Sequence, residues 1–186
     1  MNIPMERESI ATDELVKRCQ QGDREAVRRL YDQYSRAMYH ICLRMMNDVH
    51  DAEDMLQESF FQVFKSIGAF RGESTVGAWI KRIVINKCLN QLKKKSPVFV
   101  SAEDQEFEQS APVDEQKFAF TVERVKKAIA KLPDGYRVIL SLYLFEEYSH
   151  KQIAEKLGIS ESTAKTQYMR AKQRVRDWVK AELSEI

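Results

Sequence analysis

The chain has 186 residues, of which 44% are apolar and 31% charged, with 30 Lys and Arg against 28 Asp and Glu. Its longest uncharged stretch, residues 138–145, is far shorter than the roughly 20 apolar residues of a membrane-spanning helix. The N-terminus lacks the apolar block of a secretory signal. Three cysteines without CxxC spacing support neither disulfides nor a zinc ribbon. We therefore predict a cytoplasmic protein, not inserted into a membrane, whose cysteines are buried.

The charges divide the chain into three parts. Residues 1–95 carry 16 basic and 13 acidic side chains. Residues 96–116 carry no basic and six acidic side chains, and residues 117–186 carry 14 basic and nine acidic ones. The middle part lacks helical periodicity and cannot bury enough apolar area to offset its chain entropy. We predict two domains joined by a flexible acidic linker, which serves as a spacer or as a mimic of nucleic acid inside a basic channel.

On both sides of the linker the apolar pattern is helical, with no alternating runs, so an all-α fold is predicted. The first domain has four predicted helices with polar caps and glycine stops. Their limits are Thr12 or Asp13 to about Gly22, Asp23 onward, Asp48 or Asp51 to Gly68, and Thr75 to about Lys95. In the second helix the predicted core positions are Ala26, Leu30, Tyr34 and Met38.

The third predicted helix is acidic. Between Met45 and Phe64 there are five carboxylates and no Lys or Arg. These carboxylates either complement the helix dipole or form a docking surface for a protein with a basic patch. A metal-dependent nuclease also needs carboxylates, but no acid from a second element completes such a site, so no metal is predicted.

The fourth predicted helix is apolar around most of its circumference and leaves one polar strip, with residues three or four apart on one face. The strip consists of Trp79, Arg82, Asn86, Asn90 and Lys93. Trp can stack on a base, Asn can bind a base edge, and Arg and Lys can bind phosphates. The preceding loop, with Phe70 and Arg71, could hold a flipped base. The alternatives are a solvated polar face and a simple connecting loop.

The second domain begins with a helix predicted over residues 115–132 and another after Pro133. Ser149 and Gln152 then form a capping box, Gly158 permits a tight turn and Ser160 caps the last helix. This order is typical of a helix-turn-helix, although a helical hairpin with a basic outer face is the alternative. The predicted inward residues of the last helix are Ala164, Ala171, Val175 and Trp178.

The outer side of that last helix carries two predicted sets of DNA contacts. Those that could meet base edges in the major groove are Glu161, Ser162, Thr163, Lys165, Thr166 and Met169. Those that could reach phosphates are Arg170, Lys172 and Arg174.

Two long stretches, in order across the linker, resemble a known family. DAEDMLQESFFQVFKSIGAFRGESTVGAWIKRIVINKCLNQLKK is similar to the core-binding and −10-reading segment of bacterial RNA polymerase sigma factors of the extracytoplasmic-function (ECF) group. LPDGYRVILSLYLFEEYSHKQIAEKLGISESTAKTQYMRAKQRVR is similar to their −35-reading helix-turn-helix. The chain departs from the family at Val76 and Gly77, where a bulkier apolar and a small polar residue are common.

The resemblance implies roles for each part. Residues 1–95 would be sigma domain 2, and residues 117–186 would be sigma domain 4. The third helix would dock on the largest subunit of core RNA polymerase through Asp51, Asp54, Gln57 and Glu58. The melted non-template strand of the −10 element would meet Phe70, Arg71, Trp79, Arg82, Asn86, Asn90 and Lys93. The linker would run toward the RNA exit channel, and an anti-sigma factor, membrane-bound in many family members, would be a partner.

The sequence thus predicts a non-enzymatic subunit that binds core polymerase and promoter DNA, recognises −10 and −35 elements to start transcription, and needs no cofactor. The rival is a free-standing helix-turn-helix regulator that binds duplex DNA as a dimer. It leaves the acidic helix beside the Asn strip unexplained. An enzyme lacks support, because His40, His50 and His150 are widely spaced and no nucleophile elbow or phosphate loop is present.

Overall fold

The computed structural model describes residues 3–95 and 122–184, with the side chains of residues 12–95 and 122–182. All regular structure in these ranges is helical, which confirms the all-α prediction. The chain divides into two compact units, Met1–Lys94 and Lys95–Ile186. The predicted linker and the first residues of the helix predicted over 115–132 lie outside the described residues. No described helix is long and apolar enough to cross a membrane.

The first unit contains four α-helices and one short 3-10 helix. They are α1 Ile3–Gln20, α2 Arg24–Met46, α3 Val49–Ser66, the 3-10 helix Ile67–Ala69 and α4 Val76–Lys95. The Asp23 carboxylate accepts hydrogen bonds from two backbone N–H groups of α2, and the Asp48 carboxylate accepts one from α3, from the N–H of Asp51. The Thr75 hydroxyl caps α4 by accepting from the N–H of Ala78 at 3.2 Å. Local hydrogen bonds therefore start three of the helices where the sequence indicated.

The predicted start of α1 is wrong. The helix begins at Ile3, so Thr12 and Asp13 lie inside it. Proline is tolerated in the first helical turn, where Pro4 lies. The residues that follow are mainly good helix formers without glycine, so the helix continues through two residues that would otherwise make suitable caps.

The core of the first unit draws on all four of its α-helices. Ala26 and Leu30 are fully buried, as predicted, whereas Tyr34 is only half-buried. The three cysteines are free and buried, which confirms that prediction. The sulfurs of Cys42 on α2 and Cys88 on α4 lie 3.9 Å apart. The contact with Cys42 and burial together raise the pKa of the Cys88 thiol, so Cys88 contributes to packing rather than acting as a nucleophile.

Residues 122–184 of the second unit contain a helix-turn-helix supported by two further helices. The four helices of this range are α5 Val122–Ala130, α6 Asp134–Leu144, α7 His150–Leu157 and α8 Glu161–Ser184. The capping box of Ser149 and Gln152 is formed. Gly158 ends α7 with φ +74°, and Ser160 accepts from the N–H of Thr163 at 3.0 Å. The tight turn between α7 and α8 therefore follows the predicted chemistry.

The predicted burial of Trp178 is wrong. Its side chain remains 37% exposed, whereas the next residue, Val179, is 1% exposed. The ammonium group of Lys131 lies 2.9 Å from the centroid of the Trp178 ring. A helical face advances by three or four residues, so the step after Val175 could have led to either residue. Packing places Val179 inside and leaves Trp178 under a cation from the end of α5.

Replacing Glu147 by Gly is expected to raise the free energy of unfolding of the second unit by up to about 1 kcal/mol. Glu147 has φ +61°, a backbone conformation that costs an L-residue about 1–2 kcal/mol, partly offset by the greater freedom of Gly in the unfolded chain. The matched control is Gly158→Ala, which should lower that free energy by about 1 kcal/mol through the backbone alone, because a Cβ there meets no atom within 4 Å. Urea denaturation measures both. An unchanged or lowered value for Glu147→Gly would contradict the expectation.

Candidate functional site

A cavity of about 430 Å³ lies where the loop after the 3-10 helix meets the first turns of α4. This volume falls in the range of roughly 300–1,000 Å³ typical of ligand pockets. Its lining residues are Ala69, Phe70, Arg71, Glu73, Ser74, Trp79 and Arg82. The rings of Phe70 and Trp79 are 5.3 Å apart and tilted by 53°. The cavity thus combines an aromatic wall with two guanidinium groups and one carboxylate.

Two contacts that sequence reasoning missed position this loop. The side-chain amide of Gln20 on α1 donates to the carbonyl oxygens of Ile67, at 3.0 Å, and Phe70, at 3.1 Å. At the other end, a Cβ on Gly77 would lie only 2.9 Å from a ring carbon of Tyr34. Glycine therefore lets the start of α4 approach α2. This close contact explains why glycine, rather than a small polar residue, fits at position 77 in this chain.

The polar strip of α4 extends from the cavity along the helix. Arg82, Asn86, Asn90 and Lys93 are exposed, while Trp79 is half-buried against Phe70. At about 1.5 Å of rise per residue, Asn86 and Lys93 lie about 6 and 17 Å along the axis from Arg82. The structure thus brings Phe70, Arg71, Trp79 and Arg82 together at the cavity and places the remaining strip residues in a line beyond it.

The acidic face of α3 is exposed in the same unit. Asp54, Gln57 and Glu58 are exposed and Asp51 is half-buried. The carboxylate of Glu58 lies 3.5 Å from the ammonium group of Lys87 on α4. Asp54 and Glu58 are four residues apart and so lie on one side of the helix. Their negative charge remains a surface feature that would repel phosphates and attract a basic protein surface.

Phe61 is a further exposed residue of α3 that sequence reasoning missed. Its side chain is 72% exposed, whereas the adjacent Phe60 is 2% exposed. The inward set of α3 includes Met55, Phe60 and Val63, and the helical period places Phe61 outside that set. An aromatic residue at an outward helical position was the signal available in the sequence.

In the second unit, several predicted base-reading residues of α8 already contact one another. The Glu161 carboxylate pairs with Lys165 at 2.8 Å, and this hydrogen bond and charge lower the pKa of Glu161. The hydroxyl of Ser160 lies 2.8 Å from that of Ser162 and 2.7 Å from that of Thr163. Thr166 and Met169 are exposed on the same helix, Met169 by 61%.

The residues predicted to reach phosphates differ in exposure. Lys172 is exposed, and Arg170 and Arg174 are half-buried. The guanidinium carbon of Arg174 lies 5.0 Å from the centroid of the Tyr136 ring on α6. Long basic side chains lay their stems along apolar surface, which explains the partial burial.

Comparison with known families gives two matches in chain order. The family described as Sigma-70 region 2 matches residues 30–98, and the family described as Sigma-70, region 4 matches residues 123–175. The first match contains the acidic face of α3, the cavity and the strip of α4. The second contains the helix-turn-helix.

Several known proteins that align with most of this chain are sigma factors of RNA polymerase. The chain is 28% identical over 173 residues to the ECF RNA polymerase sigma factor SigW of Bacillus subtilis, covering 87% of this chain and 92% of that protein. It is 30% identical over 156 residues to the ECF RNA polymerase sigma factor SigM of Mycobacterium tuberculosis, covering 83% and 77%.

Two solved structures share the fold. The sigma factor RpoE from Bartonella quintana, solved in complex with the anti-sigma factor NepR, matches with a TM-score of 0.54 and 20% identity, covering 82% of this chain and 96% of that one. CnrH, solved in complex with the cytosolic domain of CnrY, matches with a TM-score of 0.54 and 18% identity, covering 92% of this chain and 98% of that one. With both Sigma-70 regions in order and relatives that span nearly the whole chain, this protein belongs to the ECF group of RNA polymerase sigma factors and directs promoter-specific initiation of transcription.

Proposed function

We propose that the two units divide the work of this sigma factor, with residues 1–95 as sigma domain 2, residues 96–116 as a linker and residues 117–186 as sigma domain 4. The first part binds core polymerase and opens the −10 element, and the last part reads the −35 element. The protein works in the cytoplasm as a non-catalytic subunit. The observation that carries the proposal is the aromatic and basic cavity that continues into the Asn strip on a surface next to the acidic face of α3.

At the −10 element, the cavity receives one unstacked base of the non-template strand. The Phe70 and Trp79 rings supply the stacking surface, and Arg71 and Arg82 supply charge for the adjacent phosphates. Each opened step of duplex costs about 1.4 kcal/mol of stacking, and aromatic stacking returns about 1–3 kcal/mol per base. One captured base therefore offsets about one or two opened steps, and a longer opened stretch needs further partners along the strip, at Asn86, Asn90 and Lys93.

At the −35 element, the N-terminal half of α8 enters the major groove. Thr166 and Met169 present a hydroxyl and an apolar side chain to base edges, and Lys172 contacts a phosphate. Glu161 and Lys165 enter as an ion pair, and each keeps spare hydrogen-bonding capacity for a base. The hydroxyls of Ser162 and Thr163 likewise contact that of Ser160 and retain capacity for DNA.

An anti-sigma factor is the proposed inhibitory partner of this protein. RpoE, which shares the fold, was solved with the anti-sigma factor NepR, and CnrH, which also shares it, was solved with the cytosolic domain of CnrY. An anti-sigma factor that covers the acidic face of α3 would block binding to polymerase, and one that covers the strip of α4 would block binding to DNA. Recovery of a bound protein with the tagged sigma factor from its native cells, and its displacement by core polymerase, tests this proposal.

The proposed function is tested by transcription in vitro with purified core polymerase on fragmented genomic DNA, with and without this protein. Start sites that appear only with the protein and share two spaced upstream motifs are expected. If the protein binds duplex DNA but neither binds core polymerase nor produces new start sites, the proposed division of work is wrong.

Replacing Asp54 by Ala is expected to weaken binding to core polymerase about tenfold, which is about 1.4 kcal/mol. The reason is the loss of one carboxylate from the centre of the acidic face, where it would meet a basic partner. Asp32→Ala is the matched control, because Asp32 is an exposed carboxylate on α2. Binding is measured by anisotropy of labelled sigma factor. Equal affinities for the two variants would remove Asp54 from the docking surface.

A further inference from the structure

We propose that Phe61 is the apolar anchor of the polymerase-docking surface and inserts into an apolar pocket bordered by Lys or Arg on core polymerase. The inference rests on the proposed role of α3. It adds a residue and a type of contact, because the residues assigned so far on this face are charged or polar.

The core of the first unit does not use Phe61. Phe60, the preceding residue, is 2% exposed and its ring lies edge-on to Tyr31 at 4.8 Å. The ring of Phe64 packs on Phe60 at 5.8 Å. Phe61 is 72% exposed, more than any other large apolar residue among those with described side chains. A ring that the fold leaves in water is available to a partner at no expense to the fold.

Exposure alone is common for single apolar residues, so position on the helix is the deciding observation. Phe61 follows Asp54, Gln57 and Glu58 by seven, four and three residues, spacings that place all four on one face of α3. Lys65 follows one turn later and is also exposed. The face therefore changes along its length from acidic to aromatic to basic. Aromatic residues at the centre of a patch with a polar rim are typical of binding hot spots.

The charges beside Phe61 select a class of partner. Carboxylates at Asp54 and Glu58 would repel the phosphates of DNA, so Phe61 does not serve as a base-stacking platform as Trp79 does. A second copy of the chain docked face to face would leave carboxylates in excess, because Asp51, Asp54 and Glu58 outnumber Lys65 on this face. A protein surface with basic side chains around an apolar pocket can pair with the carboxylates and bury the Phe61 ring. Lys87, which lies 3.5 Å from Glu58, neutralises part of the acidic face on the α4 side and leaves the Asp54 side for the partner.

The test uses the full-length protein and purified core polymerase, with the affinity measured at two salt concentrations. Phe61→Ala is expected to raise Kd at least tenfold, and Phe61→Leu, which keeps an apolar side chain, is expected to stay within about threefold of the original. Val122→Ala is the matched control, because Val122 is 69% exposed and lies in the other unit. The loss caused by Phe61→Ala should persist at high salt, whereas the loss caused by Asp54→Ala should shrink as ions screen the charges.

The outcomes separate this inference from the proposed function. If Asp54→Ala weakens core binding and Phe61→Ala does not, α3 docks on polymerase but Phe61 is no anchor. If Phe61→Ala leaves Kd unchanged and reduces promoter opening, Phe61 acts on DNA and the inference is wrong. If neither variant alters binding, both proposals for α3 fail. Thermal unfolding of Phe61→Ala should match that of the original protein, since the ring is largely exposed.

Discussion

Replacing Asn86 by Ala should slow promoter opening about 10- to 100-fold while leaving affinity for core polymerase unchanged. A side-chain amide bound to a base edge contributes about 1–3 kcal/mol of discrimination, and each 1.4 kcal/mol corresponds to about a factor of ten. Asn86 is exposed on α4, about one turn beyond Arg82 of the cavity. The helix side opposite Asn86 is buried in the core, so the substitution removes a surface amide and leaves the packing intact.

Permanganate footprinting of unpaired thymines, alongside a core-binding titration, measures the two effects of Asn86→Ala separately. Gln57→Ala is the matched control, because it also removes an exposed amide, from the acidic face of α3. It should weaken core binding and alter opening only through that loss. Equal reductions of opening and core binding in Asn86→Ala would remove Asn86 from base recognition.

Replacing Ile153 by Ala should lower the free energy of unfolding of the second unit by about 2–5 kcal/mol, the usual cost of such a truncation at a fully buried position. Helix α7 has eight residues, and an isolated helix shorter than about 12 residues is marginal in water. Its stability therefore comes from packing. Its buried residues are Ile153, Ala154 and Leu157, and Ile153 is 0% exposed. Loss of α7 would also remove the support of α8 in the major groove.

Hydrogen exchange of the α7 and α8 amides and affinity for a −35 duplex measure the effect of Ile153→Ala. Ile159→Ala is the matched control, because Ile159 lies in the turn after α7 and is only half-buried. Its loss should be clearly smaller. If the α7 and α8 amide hydrogens exchange at the same rates in both variants as in the original protein, packing of Ile153 does not hold the helix-turn-helix together.

Residue type and spacing were enough to predict the features whose partners lie close together in the chain. Asp23, Asp48 and Ser160 cap helices within three residues of themselves, and the Ser149–Gln152 box closes over the same distance. Such contacts need no distant neighbour, so residue type and spacing predict them. The acidic face of α3 and the strip of α4 also follow from helical period alone. The start of α1 was predicted wrongly from local pattern, because helix propensity continues through the two suitable cap residues, Thr12 and Asp13.

Features that depend on a partner far along the chain became visible only in the folded protein. Packing buries Val179 rather than Trp178, and Lys131, just after α5, lies over the exposed Trp178 ring. The loop beside the cavity is held by Gln20, whose amide donates to residues 47 and 50 positions away. Gly77 matters because the ring of Tyr34 packs against it. These partners lie on other helices or far along the chain, and residue type at one position does not encode such distant neighbours.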